Sequence, residues 1–461
     1  MEPVLGEYFG RRIDKNKYLV STRCGTSLLL NEKDYRALNN GQYKNNKKLT
    51  DRLVESKVLL TKKGIKEFIY RLKVQYVQDK AVYMNCIVNL THRCNLNCSY
   101  CHANAGTVDE KHMDMADETI EEYLDFIMNL PHKNITLEFQ GGEPLLRFDK
   151  IKYLLEEFNN RKKKYNKELA SATIVSNLTL MNKDIADYIL KNKIRISSSL
   201  DGPKELHDFQ RSDANGKGSY DHVIYWYNYF TKHNRIVGTM PTITKKSIEF
   251  GAKAIIDEYV RHGRNAIYLR SVNELGRVRK NKRLSPTKEE FTQFLIDAFD
   301  YCIYLLDKKN YLMAERNITA FVKNILFPVR QYMCMRRPCG AALTQVSVTP
   351  NGDIYPCDIA RSIPALKIGN VKTSNFSEII LNTLDLRTLT QEVQPLCDTC
   401  AYNNFCGNCA VVTYAKYNSF IAKTPQDFDC YVNRHILDYI FNKMDDKKYK
   451  KYYEAVLKTE E

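Results

Sequence analysis

Three cysteines fall at the spacing C-x3-C-x2-C in Cys94-Asn-Leu-Asn-Cys98-Ser-Tyr-Cys101. They directly follow an apolar, β-branched run (Ile87, Val88, Leu90, Thr91) that reads as a strand. Three soft ligands from one short loop suit an iron–sulfur cluster better than a closed zinc site, which takes four protein ligands. A [4Fe–4S] cube held by three cysteines keeps one iron open. The alternative reading is a zinc knuckle completed by His92 or His102.

Eight more cysteines follow as Cys334-x4-Cys339-x17-Cys357 and Cys397-x2-Cys400-x5-Cys406-x2-Cys409-x20-Cys430, enough thiols for two four-ligand clusters. Between the first three lies Val346-Ser-Val-Thr-Pro350-Asn-Gly352-Asp-Ile-Tyr-Pro-Cys357, where an Asn-Gly turn joins two β-like stretches. That hairpin delivers Cys357 to a site begun by Cys339. For Cys397 to Cys430 a zinc ribbon is the competing account. Cys24, Cys86 and Cys302 stand alone and read as small buried hydrophobes. Asp358 follows Cys357 and offers either a proton acceptor or a structural carboxylate.

From about 81 to 275 a strand-then-helix alternation must position these groups. Apolar or β-branched runs occur at Met84 to Leu90, Ile135 to Phe139, Ala172 to Ser176, Ile194 to Leu200, Ile236 to Thr242 and Ala266 to Val272, with helical patterns between them. Six parallel strands with crossover helices predict an α/β fold, a partial (β/α)6 TIM-type barrel with its chemistry on the loops after the strand ends. After the second strand comes Gln140-Gly141-Gly142-Glu143-Pro144, whose paired glycines allow close backbone approach to a ligand. The third strand ends Val175-Ser176-Asn177, and the fourth ends Ser198-Ser199-Leu200-Asp201-Gly202-Pro203 with His207-Asp208 and Arg211 beyond. An arginine there suits a carboxylate ligand, and a structural salt bridge is the other reading. Asn273 and Glu274 end the sixth strand as substrate contacts or a turn, residues 277 to 286 form a basic loop, and Lys288 to Leu306 reads as one long helix. Val432 to Tyr453 reads as a helical tail.

Ahead of the barrel, Lys17 to Thr22 and Thr26 to Asn31 predict a hairpin; Asn31 caps a helix through Leu38, and Leu49 to Leu60 and Lys63 to Tyr76 are two further helices. The predicted domains are 1–80, 81–310 and 311–461. Of the 461 residues 44% are apolar and 27% charged, ordinary for a globular protein. No signal peptide and no run of 18 apolar residues is present, so the cytoplasm is the expected location and no membrane partner is expected. In that reducing compartment fourteen cysteines point to metal rather than disulfides. A net charge of +16 raises an acidic partner against a merely lysine-rich surface, and no aromatic stacking motif interleaves the basic runs, which argues against nucleic acid.

The C-x3-C-x2-C loop, the Gly-Gly-Glu-Pro turn and the Ser-Leu-Asp-Gly…His-Asp…Arg string, in this order, resemble the radical S-adenosylmethionine (SAM) superfamily. The resemblance implies that Cys94, Cys98 and Cys101 hold a cluster whose open iron binds SAM, cleaving it to methionine and a 5′-deoxyadenosyl radical. It further implies SAM contacts from Tyr100, Gly141, Gly142, Glu143, Ser176, Asn177, Ser199 and Arg211. The block from Cys334 to Cys430, with its Gly-Asp-Ile-Tyr-Pro-Cys hairpin, resembles the SPASM extension. By that resemblance one auxiliary [4Fe–4S] cluster uses Cys339, Cys357 and Cys409 with Cys334 as a possible fourth ligand, and a second uses Cys397, Cys400, Cys406 and Cys430. The cofactors implied are three [4Fe–4S] clusters and SAM. Residues 1–80 are similar to a winged-helix leader-recognition segment, or are a plain N-terminal subdomain. Cys357-Asp-Ile-Ala-Arg361 resembles maturases of His-Xaa-Ser peptides, and an aspartate at position 358 resembles the general base of anaerobic sulfatase maturases. The implied activity is modification of a ribosomally made peptide by cross-link, thioether or epimerisation, with formylglycine formation on a sulfatase as the alternative. Implied partners are a precursor peptide or protein, with or without a leader, and an electron donor such as flavodoxin or ferredoxin. A zinc- or nucleic-acid-binding protein is the rival from another class; it leaves the glycine and Ser-Leu-Asp-Gly motifs without a purpose.

Overall fold

The computed structural model describes residues 2–77, 83–327, 334, 339–389 and 394–458. The chain begins with an antiparallel sheet of β1 (Tyr8–Asp14), β2 (Lys17–Thr22) and β3 (Ser27–Leu30), followed by α1 (Glu32–Asn39), α2 (Lys47–Glu55) and α3 (Lys62–Val77). Asn31 caps α1 as its sequence position suggests, accepting the Asp34 N–H at 2.8 Å, and Asn46 caps α2 in the same way. Strand β1 has no counterpart in the sequence reading. Arg11 and Arg12 interrupt its apolar pattern, and only Phe9 along it is buried, so its pairing to β2 rather than its own composition makes it a strand. The sheet docks on the C-terminal part of the chain: Arg11 pairs with Asp438 at 2.6 Å and Ser21 donates to the Ala401 carbonyl at 2.7 Å.

The barrel strands are β4 (Tyr83–Asn89), β5 (Asn134–Gln140), β6 (Glu168–Val175), β7 (Arg195–Ser199) and β8 (Val237–Met240), all parallel. Beyond Pro241 the fifth strand resumes as β9 (Thr242–Ile243), and the sixth is likewise interrupted, as β10 (Ala266–Ile267) and β11 (Arg270–Ser271), which pairs with β9. Proline lacks the N–H that a continuous ladder needs, which accounts for the first break. Helices α4 (Asp117–Met128), α5 (Phe148–Arg161), α6 (Lys183–Lys191) and α7 (Tyr220–Lys232) share one core with the sheet. In β5 the residues Ile135, Leu137 and Phe139 alternate into that core, each contributing roughly 1.5–3 kcal/mol.

After α8 (Lys288–Lys309) come β12 (Ala314–Glu315), parallel to β10, and α9 (Arg316–Leu326). The predicted Asn-Gly hairpin is β13 (Gln345–Val348) with β14 (Asp353–Tyr355). Strand β13 also pairs in parallel with β4, so the hairpin extends the barrel sheet through β15 (Gly369–Asn370) in the order β8-β7-β6-β5-β4-β13-β14-β15. The chain then forms α10 (Ala410–Tyr417), α11 (Phe428–Asn442) and α12 (Lys447–Leu457); the predicted tail is two helices broken near Asp446, which caps the second. Helices α8, α11 and α12 pack into a second large core. No helix of the described residues is long and apolar enough to cross a membrane. Cys24, Cys86 and Cys302 are fully buried, as expected of small hydrophobes.

Candidate active site

The cysteine loop leaves β4 and is closed at its base by Cys94 N–H to the Gly106 carbonyl (2.9 Å) and Gly106 N–H to the His92 carbonyl (3.0 Å). Loops from other strand ends hold its outer part. Asn97 N–H donates to the Ser212 carbonyl at 2.7 Å, Ser99 N–H to that of Gln210 at 3.2 Å, and Ser362 Oγ to that of His102 at 3.0 Å. Cys94, Cys98 and Cys101 thereby face a single cavity of about 260 Å³ at the C-terminal ends of the strands, together with Tyr100, Gly141, Gly142, Ser176, Asn177, Ser199, Arg211 and Asp358. The sequence-predicted set for this site converges there with one exception.

The exception is Glu143. Its carboxylate is fully buried away from the cavity and accepts from Ser176 Oγ (2.8 Å), Asn177 N–H (2.8 Å) and Leu145 N–H (3.0 Å). Burial pushes this carboxyl up to about 7 against those hydrogen bonds. The parts of the motif on the cavity are Gly141 and Gly142. Gly141 has φ +145°, and a Cβ there would lie 2.2 Å from the Thr91 carbonyl oxygen; one on Gly142 would lie 2.1 Å from that of Arg93. Only glycine allows this loop to bond the cysteine loop through Gly142 N–H to Thr91 (2.9 Å) and Glu143 N–H to Arg93 (2.8 Å). Asn177 donates to Asn95 Oδ1 at 3.0 Å and to Cys94 Sγ at 3.7 Å.

Arg211 lines the cavity and also makes the ion pair offered as its other reading: Nε lies 2.9 Å from Asp201 Oδ2, and the guanidinium sits 5.1 Å from the Tyr100 ring centre. Asp201, fully buried, also accepts from Tyr100 Oη, Gln210 Nε2 (2.9 Å) and Thr242 N–H (3.0 Å). Arg211 and these donors hold its carboxyl below the usual range despite burial. His207 and Asp208 are structural. His207 Nδ1 accepts the Asp201 N–H at 3.3 Å, and burial lowers its pKa to about 4; Asp208 accepts the Tyr220 N–H at 2.8 Å.

Asp358 accepts from Arg361 Nε at 2.7 Å and lies 3.4 Å from His102 Nε2. Although half-buried, it is held far below the usual carboxylate range by Arg361 and His102, so it is an ionised, weak base while that pair stands. A second cavity, of about 180 Å³, shares Arg270, Ser271, Val272, Asn273 and Ile359 with the first and extends to Cys334 and Cys409. Glu274 is on this second wall rather than the first.

The later cysteines gather into two neighbourhoods. Cys339, Cys357 and Cys409 pack on a small apolar cluster around Leu275, Tyr355 and Val411; Cys400 and Cys406 pack on the core of α8 and α11. Burial, together with charge on Cys409 and Cys334, pushes Cys339 up to about 12. Cys406 goes to about 12 through burial and then Cys400, Cys430 and Cys397. Burial likewise takes Cys94 to about 12 and Cys98 to about 11. Among the described residues no three such groups close on a single metal ion, yet the thiols of each set raise one another's pKa, so the donor sets fit a soft, multi-metal cluster rather than a lone ion.

Sequence reasoning passed over three residues that tie the site together. Asp201 appeared only inside a motif, Arg361 only inside a string, and Arg277 only as part of a basic loop. The available signal for Arg277 was its place directly after a glycine on a loop at the chemical end of the barrel.

The family model of the radical SAM superfamily matches residues 88–249, and that of SPASM, an iron–sulfur cluster-binding domain, matches residues 339–410. An uncharacterized protein of Methanocaldococcus jannaschii is 31% identical over 63% of this chain and 89% of its own length. A cysteine-type anaerobic sulfatase-maturating enzyme of Clostridium perfringens is 24% identical over 76% of this chain and 94% of its own. Among solved structures, native anSMEcpe with bound AdoMet superposes with a TM-score of 0.69 at 20% identity, over 80% of this chain and 99% of that one. Streptococcus suis SuiB bound to its precursor peptide SuiA gives 0.53 at 15%, over 93% and 99%. The conjunction of a cysteine-lined cavity on strand ends with a second, cysteine-rich unit extending the same sheet has its explanation in this kinship: the chain belongs to the radical SAM superfamily and is an enzyme with a SPASM domain, made to bind [4Fe–4S] clusters and SAM.

Proposed function

We propose that this enzyme modifies a ribosomally made peptide, forming a cross-link or thioether or inverting a residue. The observation that carries the reading is the pair of cavities with a common wall, leading from Cys94, Cys98 and Cys101 to Cys409 and Cys334. An extended peptide laid along them brings one residue to the first cysteine group and a neighbour to the second. The N-terminal sheet with its three helices supports a leader-bearing substrate, since an extended leader can add to an exposed sheet edge. SuiB, similar in fold, is itself a protein bound to a precursor peptide.

In this reading three [4Fe–4S] clusters would be held, one on Cys94, Cys98 and Cys101, one on Cys339, Cys357 and Cys409 with Cys334 as a possible fourth ligand, and one on Cys397, Cys400, Cys406 and Cys430, all of them free cysteines. Cys94, Cys98 and Cys101 would hold the cluster that, with SAM, would supply one-electron chemistry: reductive cleavage of the sulfonium and removal of a hydrogen atom from the substrate. The chain's own residues do the positioning. The Gly141–Gly142 backbone lies open to a ligand amino group, Arg211 offers a charge-assisted hydrogen bond to a carboxylate, and Ser199, Ser176 and Asn177 line the remaining polar wall. Leu96, Met240, Val272 and Ile359 form the apolar wall that keeps water from the reacting atoms. Asp358 keeps Arg361 and His102 in place beside the cavity and takes a proton only when that pair opens.

Formylglycine formation on a sulfatase is the second reading, favoured by the sulfatase-maturating relative and by the carboxylate at position 358. Co-expression with a short precursor encoded beside the gene, and separately with a sulfatase, followed by mass spectrometry and chiral amino-acid analysis of the products, tests both. Loss of a hydrogen pair, or a changed stereocentre, in the short peptide supports the first reading. Formylglycine in the sulfatase, with the peptide unchanged, overturns it in favour of the second.

A further inference from the structure

The loop after the sixth strand grips the cysteine loop more extensively than any motif announces. Arg277 donates through Nη1 to the Cys98 carbonyl (2.8 Å), through Nη2 to the Ala105 carbonyl (2.8 Å) and through its backbone N–H to the Cys101 carbonyl (3.0 Å). One residue thus ties the cysteine loop at its centre, at its third cysteine and near its end. Gly276 precedes it with φ +53°, and a Cβ there would stand 2.2 Å from the Cys101 oxygen and 2.5 Å from that of His102, so the two backbones touch directly. Val272 and Val278 close the contact by burying Tyr100 in a separate apolar cluster.

We propose that Arg277 is the positioning residue of the first cluster: its guanidinium fork spans the Cys98 and Ala105 carbonyls while its backbone N–H holds that of Cys101, and its charge favours the reduced, more negative state of what these cysteines hold. A lysine supplies the charge but, with a single ammonium, not the planar two-pronged geometry that reaches both carbonyls. Groups outside the ligand set commonly tune affinity and potential in this way. Because the grip comes from the segment that also carries Val272, Asn273 and Glu274 on the cavity walls, the substrate wall and the cluster loop move as one piece. The proposal rests on membership of the superfamily and not on which peptide is modified.

The test compares Arg277→Gln, Arg277→Lys and Gly276→Ala in anaerobically reconstituted enzyme. It reads the electron paramagnetic resonance spectrum of the reduced first cluster with and without SAM, that cluster's midpoint potential, and amide exchange across residues 97–106. In R277Q the expected results are a midpoint moved to more negative potential, faster exchange at 97–106 with 134–140 unchanged, and substrate-free SAM cleavage lowered roughly 10- to 100-fold. R277K recovers the potential but not the protection, and G276A loses the protection while keeping the potential nearer to wild type. Wild-type spectrum, potential and protection in R277Q overturn the proposal. If R277Q loses protection at 134–140 as well, the other two variants decide, and wild-type protection in both overturns it.

Discussion

The two sets of cysteines are built in opposite ways. Cys94, Cys98 and Cys101 lie within eight residues of one another, on a loop tied by hydrogen bonds to loops from several other strand ends. The cysteines from 334 to 430 come from segments up to 96 residues apart and meet on the surfaces of two apolar clusters. In the first region backbone hydrogen bonds hold the loop that carries the thiols. In the second, a bound cluster would add a cross-link among segments far apart in sequence. The difference matches the division of labour in the superfamily's chemistry: a reacting site needs fixed geometry, while an accessory site needs chiefly to be held together.

The largest expected effect separates the two regions outright. Replacing Cys94, Cys98 and Cys101 together by alanine abolishes SAM cleavage and leaves about two-thirds of the iron, as three independent cubes require. Loss of essentially all iron would break the comparison by making the later groups depend on the first. Next in size is the buried support of the first site. Asp201→Asn leaves Arg211 partly unpaired in the cavity wall and is expected to cost about 3–5 kcal/mol in urea unfolding, along with weaker SAM binding. The better-solvated Arg11–Asp438 pair, joining the N-terminal sheet to α11, serves as the contrast, and D438N costs distinctly less. Equal costs would mean that Asp201 is no more than a surface partner.

How far each region was legible in the sequence follows from the same contrast. The cysteine loop, the glycine turn and the order of six strands are local patterns, and residues a few positions apart announce them. The Cys357 hairpin was legible for the same reason, since Asn351-Gly352 specifies its turn. That β13 adds to β4, so that the SPASM hairpin prolongs the barrel sheet, was not legible, because strand pairing across some 260 residues leaves no periodic trace. Strand β1 was hidden by its arginines, one of which faces a distant aspartate rather than solvent. Glu143 was visible as a residue and hidden as to direction: its motif gives a carboxylate beside a ligand site, yet its side chain turns inward to cap the 3₁₀ turn at Pro144. Arg277 illustrates the remainder, a charged residue in an ordinary basic loop whose meaning lies wholly in two carbonyls far away in sequence.

The inward turn of Glu143 carries a prediction of middle size. Its folded-state pKa of about 7 lies above the unfolded value of 4.5, so the folded chain holds that proton more tightly. Its contribution to stability is therefore fully present below pH 4.5 and is lost as pH rises through 7, amounting to at most about 3 kcal/mol. Glu315, buried at the start of α9 and also raised to about 7, adds a contribution of the same sign. Denaturant stability followed from pH 5.5 to 8 is expected to fall in the wild type and to fall less in E143Q and in E315Q. An unchanged slope in both variants would place the titration elsewhere.

The smallest expected effect bears most directly on the comparison itself. Treated as cross-links of the unfolded chain, a cluster joining Cys357 to Cys409 closes a 52-residue loop and contributes about 4 kcal/mol, while one across the eight residues from Cys94 to Cys101 contributes about 2.5 kcal/mol. Removing iron with a chelator should therefore destabilise the later region more, by roughly 1.5 kcal/mol, although the first lines the cavity at the strand ends. Amide exchange before and after chelation measures this: protection at 345–357 and 410–417 should fall further than at 94–106, where the backbone bonds to Gly106, Ser212 and Gln210 persist without metal. The reverse order would mean that the cysteine loop is shaped by its cluster after all, and that its hydrogen bonds follow from metal binding instead of preceding it.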